Sequence, residues 1–303
     1  MSTVYACPLS HKLISISGVD KLAYLHGQIT QDLNLLKHDN FLWAGHCNAK
    51  GKLWSVAKLF SHQDSYYLAA TAHEVEQSLA ELKKYAVFSK VEIQQSPLQL
   101  VGILGDDLTT VQNKLGIKFV EPATACDFSG GKALKLAKDR ILLMVDSDFS
   151  LPESITCLDD DALWQQHAIL AGEPALNQAA IGEYVPQMVN LHAIGGISFR
   201  KGCYTGQETV ARMKYLGKNK RAMFIVSGPS EGPFDELDLE TQVGDNWRRA
   251  GKLISQAYNK QSKTFYGLVV LPNDSEPSQS LRVKHEPQVE LAIQPLPYSL
   301  EDE

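Results

Sequence analysis

The chain has 303 residues, 44% of them apolar, and a formal net charge of −6. That length suggests about two domains with real cores, and the overall negative charge argues against a general nucleic-acid binder. Five cysteines (7, 47, 126, 157 and 203) are odd in number, and no C-x-x-C occurs, so neither a disulfide framework nor a zinc knuckle is indicated. The first residues, Met1-Ser-Thr-Val-Tyr-Ala6, lack a basic start and an apolar core, and no apolar run approaches a membrane span. A soluble protein of the reducing cytoplasm is expected.

In chain order, Leu13 to Ile16 reads as a short strand, and Ser17-Gly-Val-Asp20 carries capping-box spacing before a helix ending near Gly27. Phe41 to Cys47 and Leu53 to Phe60 read as two strands joined at Asn48-Ala-Lys-Gly51. His73 to Tyr85 reads as a helix, with Val75, Leu79 and Leu82 on one face, Glu74 and Glu76 in the first turn, and Lys83 and Lys84 in the last. Leu98 to Leu104 is a strand, Asp106 to Leu115 a helix, and Leu134 to Leu136 with Arg140 to Val145 a strand pair. Asp159-Asp160-Asp161 precedes a helix running to about Ala171, where three carboxylates suit the positive helix end. Strands and helices are interspersed, so the fold class is α+β or mixed α/β. After Arg221, short apolar strands alternate with prolines, predicting a small β-barrel or sandwich and a boundary near 221.

The most informative segment is Arg200-Lys-Gly-Cys-Tyr-Thr-Gly-Gln-Glu208. Thr205 and Glu208 have capping-box spacing, which predicts a helix from Gly206 to about Leu216, stopped by Gly217. Cys203 would then stand just before the positive end of a helix, beside Arg200 and Lys201, and both influences favour the thiolate. It is the candidate chemical residue, with an inert cysteine beside an ordinary cap as the alternative. From Arg200 to Arg221 seven cations (Arg200, Lys201, Arg212, Lys214, Lys218, Lys220, Arg221) face one anion, Glu208. That stretch is a candidate anion or RNA-backbone site; a solvated helix face is the plainer reading.

Trp164 shares a helix face with His167, Ala168 and Ala171 and could stack on a flat heteroaromatic ligand, although core packing explains it as well. His11 carries no signal of its own. Walker, dinucleotide and nucleophile-elbow patterns are absent, and His46-Cys47 has no second ligand pair, so no metal site is expected.

Lys201-Gly-Cys-Tyr-Thr-Gly-Gln-Glu208 makes the chain resemble the YgfZ family, bacterial folate-binding proteins linked to tRNA modification and iron–sulfur enzymes. Further landmarks follow the same order along nearly the whole chain: Gly27-Gln28 with Thr30 and Asp32, His46 to Lys52, Leu82 to Val91, Gly195 to Phe199, Asn246 to Arg249, and Pro295 to Leu300. The resemblance implies a three-domain, aminomethyltransferase-like α+β fold around a central folate-sized cavity. Residues 1–220 would form two interleaved folate-binding domains, and residues 221–303 a C-terminal β-barrel. It also implies tetrahydrofolate, or a folate derivative, as cofactor and iron–sulfur tRNA-modifying enzymes as partners. By position Trp164 matches one of two tryptophans used against folate, and the other falls at His11, which offers less stacking surface. The stretch Gly51-Lys-Leu-Trp-Ser-Val56 lacks the acidic pair of the glycine cleavage aminomethyltransferase, so that activity is not expected. Three readings remain open: a folate-binding accessory protein with a reactive Cys203, a folate-dependent one-carbon transferase acting on tRNA or a protein-bound substrate, or direct RNA binding without chemistry through the cationic stretch.

Overall fold

Runs of consecutive buried residues in the central strands decide the architecture, because a strand that is apolar on both sides needs cover on both faces of its sheet. A computed structural model describes residues 3–153, 155–217 and 219–300. The first sheet has five antiparallel strands in the order Phe41–Cys47, Leu53–His62, Ser65–Ala70, Lys12–Ser17 and Glu92–Gln95. One of its faces carries Ile14, Ile16, Leu59 and Leu68, which pack with Val75 and Leu82 of the helix Ala72–Tyr85. That helix starts with a complete capping box, Thr71 paired with Glu74.

The opposite face carries Leu13, Phe60, Tyr67 and Ala69 and meets a second sheet. This second sheet has six strands, ordered Thr156–Cys157, Tyr5–Pro8, Gln99–Leu104, Arg140–Val145, Gly131–Ala137 and Ala125–Phe128. Leu100, Leu104, Leu142 and Met144 point into the shared core, whereas Ile103, Ile141, Leu143 and Val145 point outward to Val111 of the helix Thr109–Leu115. The chain enters the six-stranded sheet at Tyr5, crosses to the other sheet at Lys12, and returns at Gln99. The two layers are therefore interleaved in sequence.

From Arg221 onward six strands close into a barrel, so the predicted choice between barrel and sandwich resolves to the barrel. Strand Arg221–Pro229 pairs with Thr264–Pro272 on one side and Glu286–Gln294 on the other, which leaves no edge between them. The long strand Asn246–Asn259 carries a register shift at Leu253/Ser255, a bulge that bends it around the barrel. Met223, Ile225, Ile254, Leu268 and Val270 pack outward against Leu176, Val189, Leu191 and Val210, binding the barrel to the layered part.

The cysteine-bearing segment departs from expectation. Its helix is Gln207–Tyr215, with Gly206 as N-cap in a left-handed conformation (φ 85°) and no side-chain cap. The expected Thr205–Glu208 box is not formed; instead the Tyr204 N–H donates to Gln207 Oε1 at 3.2 Å. The cause is tertiary. A Cβ on Gly206 would lie 2.4 Å from the Asn48 carbonyl oxygen and 2.8 Å from Gly51 Cα, so a glycine pair lets this turn dock on the tip of the hairpin.

Candidate functional site

Trp164 sits on the helix Ala162–Leu170 and is 2% exposed. Its indole lies flat on the strand Gln99–Leu104 at Gly102, where a Cβ would come within 2.3 Å of the ring. On another side it lines a small cavity of about 20 Å³, whose walls include His11, Trp43, Lys58, Glu74 and Glu173. The structure thus brings Trp164 and His11 to one place. His11 Nδ1 is sealed from solvent without a partner. Burial, reinforced by the nearby Lys58 charge, pushes the imidazole down to about 4, so it is neutral at ordinary pH.

Two charged side chains of an ion pair, Lys58 and Glu173, line this cavity, and Arg140 stands behind them. Lys58 Nζ lies 3.1 Å from Glu173 Oε2 and 4.1 Å from the centre of the Trp43 ring. Arg140 donates to the other oxygen of Glu173, and its guanidinium lies 5.6 Å from the Trp164 ring. Burial alone would raise the Glu173 carboxyl, but the two cations prevail and hold it below the usual carboxylate range. Burial lowers Lys58, with Glu173 opposing.

A further carboxyl, Glu74, is fully buried. It accepts from the Val56 N–H at 2.9 Å, the Thr71 N–H at 3.2 Å and the Thr71 hydroxyl at 2.7 Å. Burial pushes it up to about 7 despite these donors. An acid that exchanges its proton near neutral pH therefore reaches the strand that has no carboxylate of its own.

The space directly beside Trp164 and His11 is small: about 20 Å³ holds a single water, with Lys58 and Glu173 among its walls. The larger space is a neighbouring cleft of about 830 Å³ between the helix Ala162–Leu170, the 175–179 segment and the barrel. Thr71, Gln165 and Ala175 line both cavity and cleft, so one opens beside the other. Phe234, Leu237 and Ile254 give the cleft an apolar wall.

Cys203 lies elsewhere. It is exposed, and among the described residues none from 200 to 221 lines the cavity or the cleft. Lys201 is turned inward, donating to the carbonyl oxygens of His26, Ile29 and Gln31 at 2.5, 2.7 and 3.0 Å. Burial pulls its ammonium down to about 8. This lysine fastens the cysteine loop to the turn at Gly27, where Thr205 N–H also binds. Arg200, Arg212, Lys220 and Arg221 are exposed, and Lys214 lies 4.4 Å over the Phe199 ring. Lys218, counted in the cationic stretch, is outside the described residues.

Comparison with known proteins agrees along almost the whole chain. Residues 219–286 match the family model described as the YgfZ β-barrel domain. The tRNA-modifying protein YgfZ of Vibrio vulnificus (strain YJ016) is 46% identical over 298 residues, covering 96% of this chain and 91% of that protein. The chain belongs to the YgfZ family. The YgfZ protein of Vibrio atlanticus is 42% identical, over 96% of this chain and 90% of its own, and that of Yersinia pestis (strain Pestoides F) 38%, over 96% and 91%. The glycine cleavage aminomethyltransferase T of Bartonella henselae superposes with a TM-score of 0.70 at 14% identity, covering 98% of this chain and 86% of that one, which establishes a shared fold. Among the described residues no helix is long and apolar enough to cross a membrane.

Within this YgfZ fold, sequence reasoning missed Glu74 as a cavity residue and the Lys58–Glu173–Arg140 cluster altogether. Glu74 was visible as a capping-box acid at Thr71-x-x-Glu74. Lys58 had a fainter signal, as the lone charge inside the apolar strand Leu53 to Phe60.

Proposed function

We propose that this YgfZ-family protein holds a reduced folate in the cleft, with the pterin end directed through the Thr71–Gln165–Ala175 wall toward Trp164 and His11. It is read as a cytoplasmic accessory to tRNA modification and to the synthesis or repair of iron–sulfur enzymes. The observation that carries the reading is the shared wall, Thr71, Gln165 and Ala175, between a cleft of about 830 Å³ and a cavity where an indole, a neutral imidazole and buried carboxyls converge. The chemistry of the groups behind that wall suits a pterin: the orphaned His11 Nδ1 lacks a donor, and Glu74 carries a carboxyl of the kind that pairs with an amino-pyrimidine edge. Bound folate would supply one-carbon chemistry. The protein's own part is to orient the ring against Trp164 and to exclude water around it.

In this reading residues 1–220 form the interleaved folate-binding part and residues 221–303 the barrel that closes the cleft. Cys203 acts from the surface as nucleophile or redox partner toward a macromolecular substrate, and the Arg200–Arg221 stretch supplies anion affinity for tRNA. Cells lacking the protein, rescued by wild type, Cys203→Ala or Trp164→Phe, test both parts. Rescue by Cys203→Ala of tRNA modification and iron–sulfur enzyme activity contradicts the role of the thiol.

One observation favours the transferase alternative. Glu74, poised near neutrality on the cavity wall, can take or return a proton during transfer of a carbon unit. In a single turnover with labelled folate, label on tRNA or protein indicates the transferase, and folate returned intact indicates the accessory protein.

A further inference from the structure

The apolar layer between the two sheets ends on one side in polar residues. In the five-stranded sheet Leu13, Phe60 and Tyr67 face that layer, and Ser15, His62 and Ser65 stand two positions away on the same face. In the six-stranded sheet Ala125, Leu134 and Met144 face it, and Asp127, Lys132 and Asp146 stand two positions away. All six turn polar toward one end. The sheets are joined there by His62 Nδ1, which lies 2.8 Å from Asp127 Oδ1.

Between the sheets at this end lies a pocket of about 290 Å³, near the lower bound of ordinary small-molecule sites. Its floor is the end of the apolar layer, Tyr67, Leu98 and Met144. Its walls carry Ser15, Ser17, Ser65, Gln94 and Ser96, with Asp146 as the one carboxylate among the described residues. Strand geometry turns these groups inward: Ser15 and Ser17 share the face of Leu13, and Gln94 lies directly opposite Ser15 on the neighbouring strand. The side chains of Ser17, Gln94 and Asp146 make no hydrogen bond within the described residues, so their capacity is open to a ligand.

Among the described residues no lysine or arginine lines this pocket. Lys132, 1% exposed, is engaged behind the wall by Asp127 at 3.2 Å and by the His38 carbonyl at 2.5 Å. A phosphate would therefore meet Asp146 with no counter-charge beside it. The lining suits a neutral molecule with an apolar ring body and hydroxyls around its perimeter.

We propose that this pocket binds a neutral sugar or cyclic polyol, with the ring on the Tyr67–Met144 floor and hydroxyls donating to Asp146 and bonding to the serines and Gln94. The site is separate from the folate reading and shares no lining residue with the cleft or the cavity.

Saturation-transfer NMR titrations of the whole chain test it, with D-ribose, D-glucose and myo-inositol as probes, each beside its monophosphate. At least one neutral probe should bind saturably, and its monophosphate should bind at least about fivefold more weakly. Asp146→Ala should weaken binding of that probe at least about tenfold, because a charged acceptor is lost to the hydroxyls. Gln94→Trp, on the edge strand Glu92–Gln95, should weaken it as much by filling the space. Both residues are exposed and free of side-chain hydrogen bonds, so neither change disturbs the fold.

Binding of none of the neutral probes, a monophosphate binding as tightly as its parent, or unchanged affinity in either variant overturns the proposal. Displacement of the bound probe by tetrahydrofolate also overturns it. Tetrahydrofolate titrated alone shows separately whether the folate reading stands.

Discussion

Lys58 Nζ lies 3.1 Å from Glu173 Oε2, in a space closed by Trp43 and Trp164. The pair is asymmetric, because Glu173 has a second cation in Arg140 whereas Lys58 has Glu173 as its ion-pair partner. Glu173→Gln leaves two buried cations without a counter-charge and should cost about 3 kcal/mol or more, while Lys58→Met leaves Glu173 paired and should cost about 1 kcal/mol or less. Urea unfolding of the two variants measures the difference. Equal losses would contradict the asymmetry.

Glu74 makes stability depend on pH in a definite direction. Its folded pKa of about 7 lies above the ordinary value of 4.5, so between these limits the folded chain holds a proton that the unfolded chain has released. Stability from this group is therefore complete below about pH 4.5 and is lost as pH rises through 7. Glu74→Gln carries no such term. Whatever constant cost the amide brings, the variant should gain on wild type by about 3 kcal/mol between pH 4.5 and 8. Denaturant midpoints across that range check it, and a difference that does not vary with pH speaks against the raised carboxyl.

The seat of Trp164 depends on an absent side chain. A methyl group at Gly102 would meet the indole at 2.3 Å, so Gly102→Ala should cost about 1–3 kcal/mol through overpacking and tilt the ring toward solvent. A red shift of tryptophan emission accompanies that tilt. An unshifted spectrum with native stability would mean that the indole is not pressed on this strand.

Gly206 and Gly195 provide a matched comparison at the cysteine loop. Both have positive φ, 85° and 72°, but an added Cβ on Gly206 would meet the Asn48 carbonyl at 2.4 Å, whereas Gly195 faces open space. Gly195→Ala should cost about 1 kcal/mol for backbone conformation alone, and Gly206→Ala clearly more, with loosening of the cysteine loop from the hairpin. Melting temperatures and alkylation rates at Cys203 measure both effects. Identical behaviour would contradict the close approach.

The layered architecture was legible wherever a local pattern specified it. Val75 and Leu82 fall on the buried face of their helix as their spacing requires, and the short strands after Arg221 form the barrel. What escaped the sequence was non-local. The Thr205–Glu208 box is overridden because Gly206 docks on Asn48 and Gly51, more than 150 positions away, and no local pattern records that contact. Lys58, Glu173 and Arg140 come from three separate segments and meet beside the Trp164 cavity, a convergence that no local spacing encodes. Trp164 and His11 were paired by resemblance alone, and both line the cavity wall. Cys203, the candidate chemical residue, stands on an exposed loop that Lys201 anchors to the His26–Gln31 turn, and no local pattern records its separation from the Trp164 cavity.

The central claim is that a reduced folate enters the cleft and reaches Trp164, and calorimetric titration of tetrahydrofolate into wild type, Trp164→Phe and Cys203→Ser tests it most directly. Phenylalanine retains the buried hydrocarbon while removing the indole. The account predicts saturable binding to wild type, at least about tenfold weaker binding to Trp164→Phe, and unchanged affinity in Cys203→Ser. No binding to wild type, or equal affinity in wild type and Trp164→Phe, would contradict it.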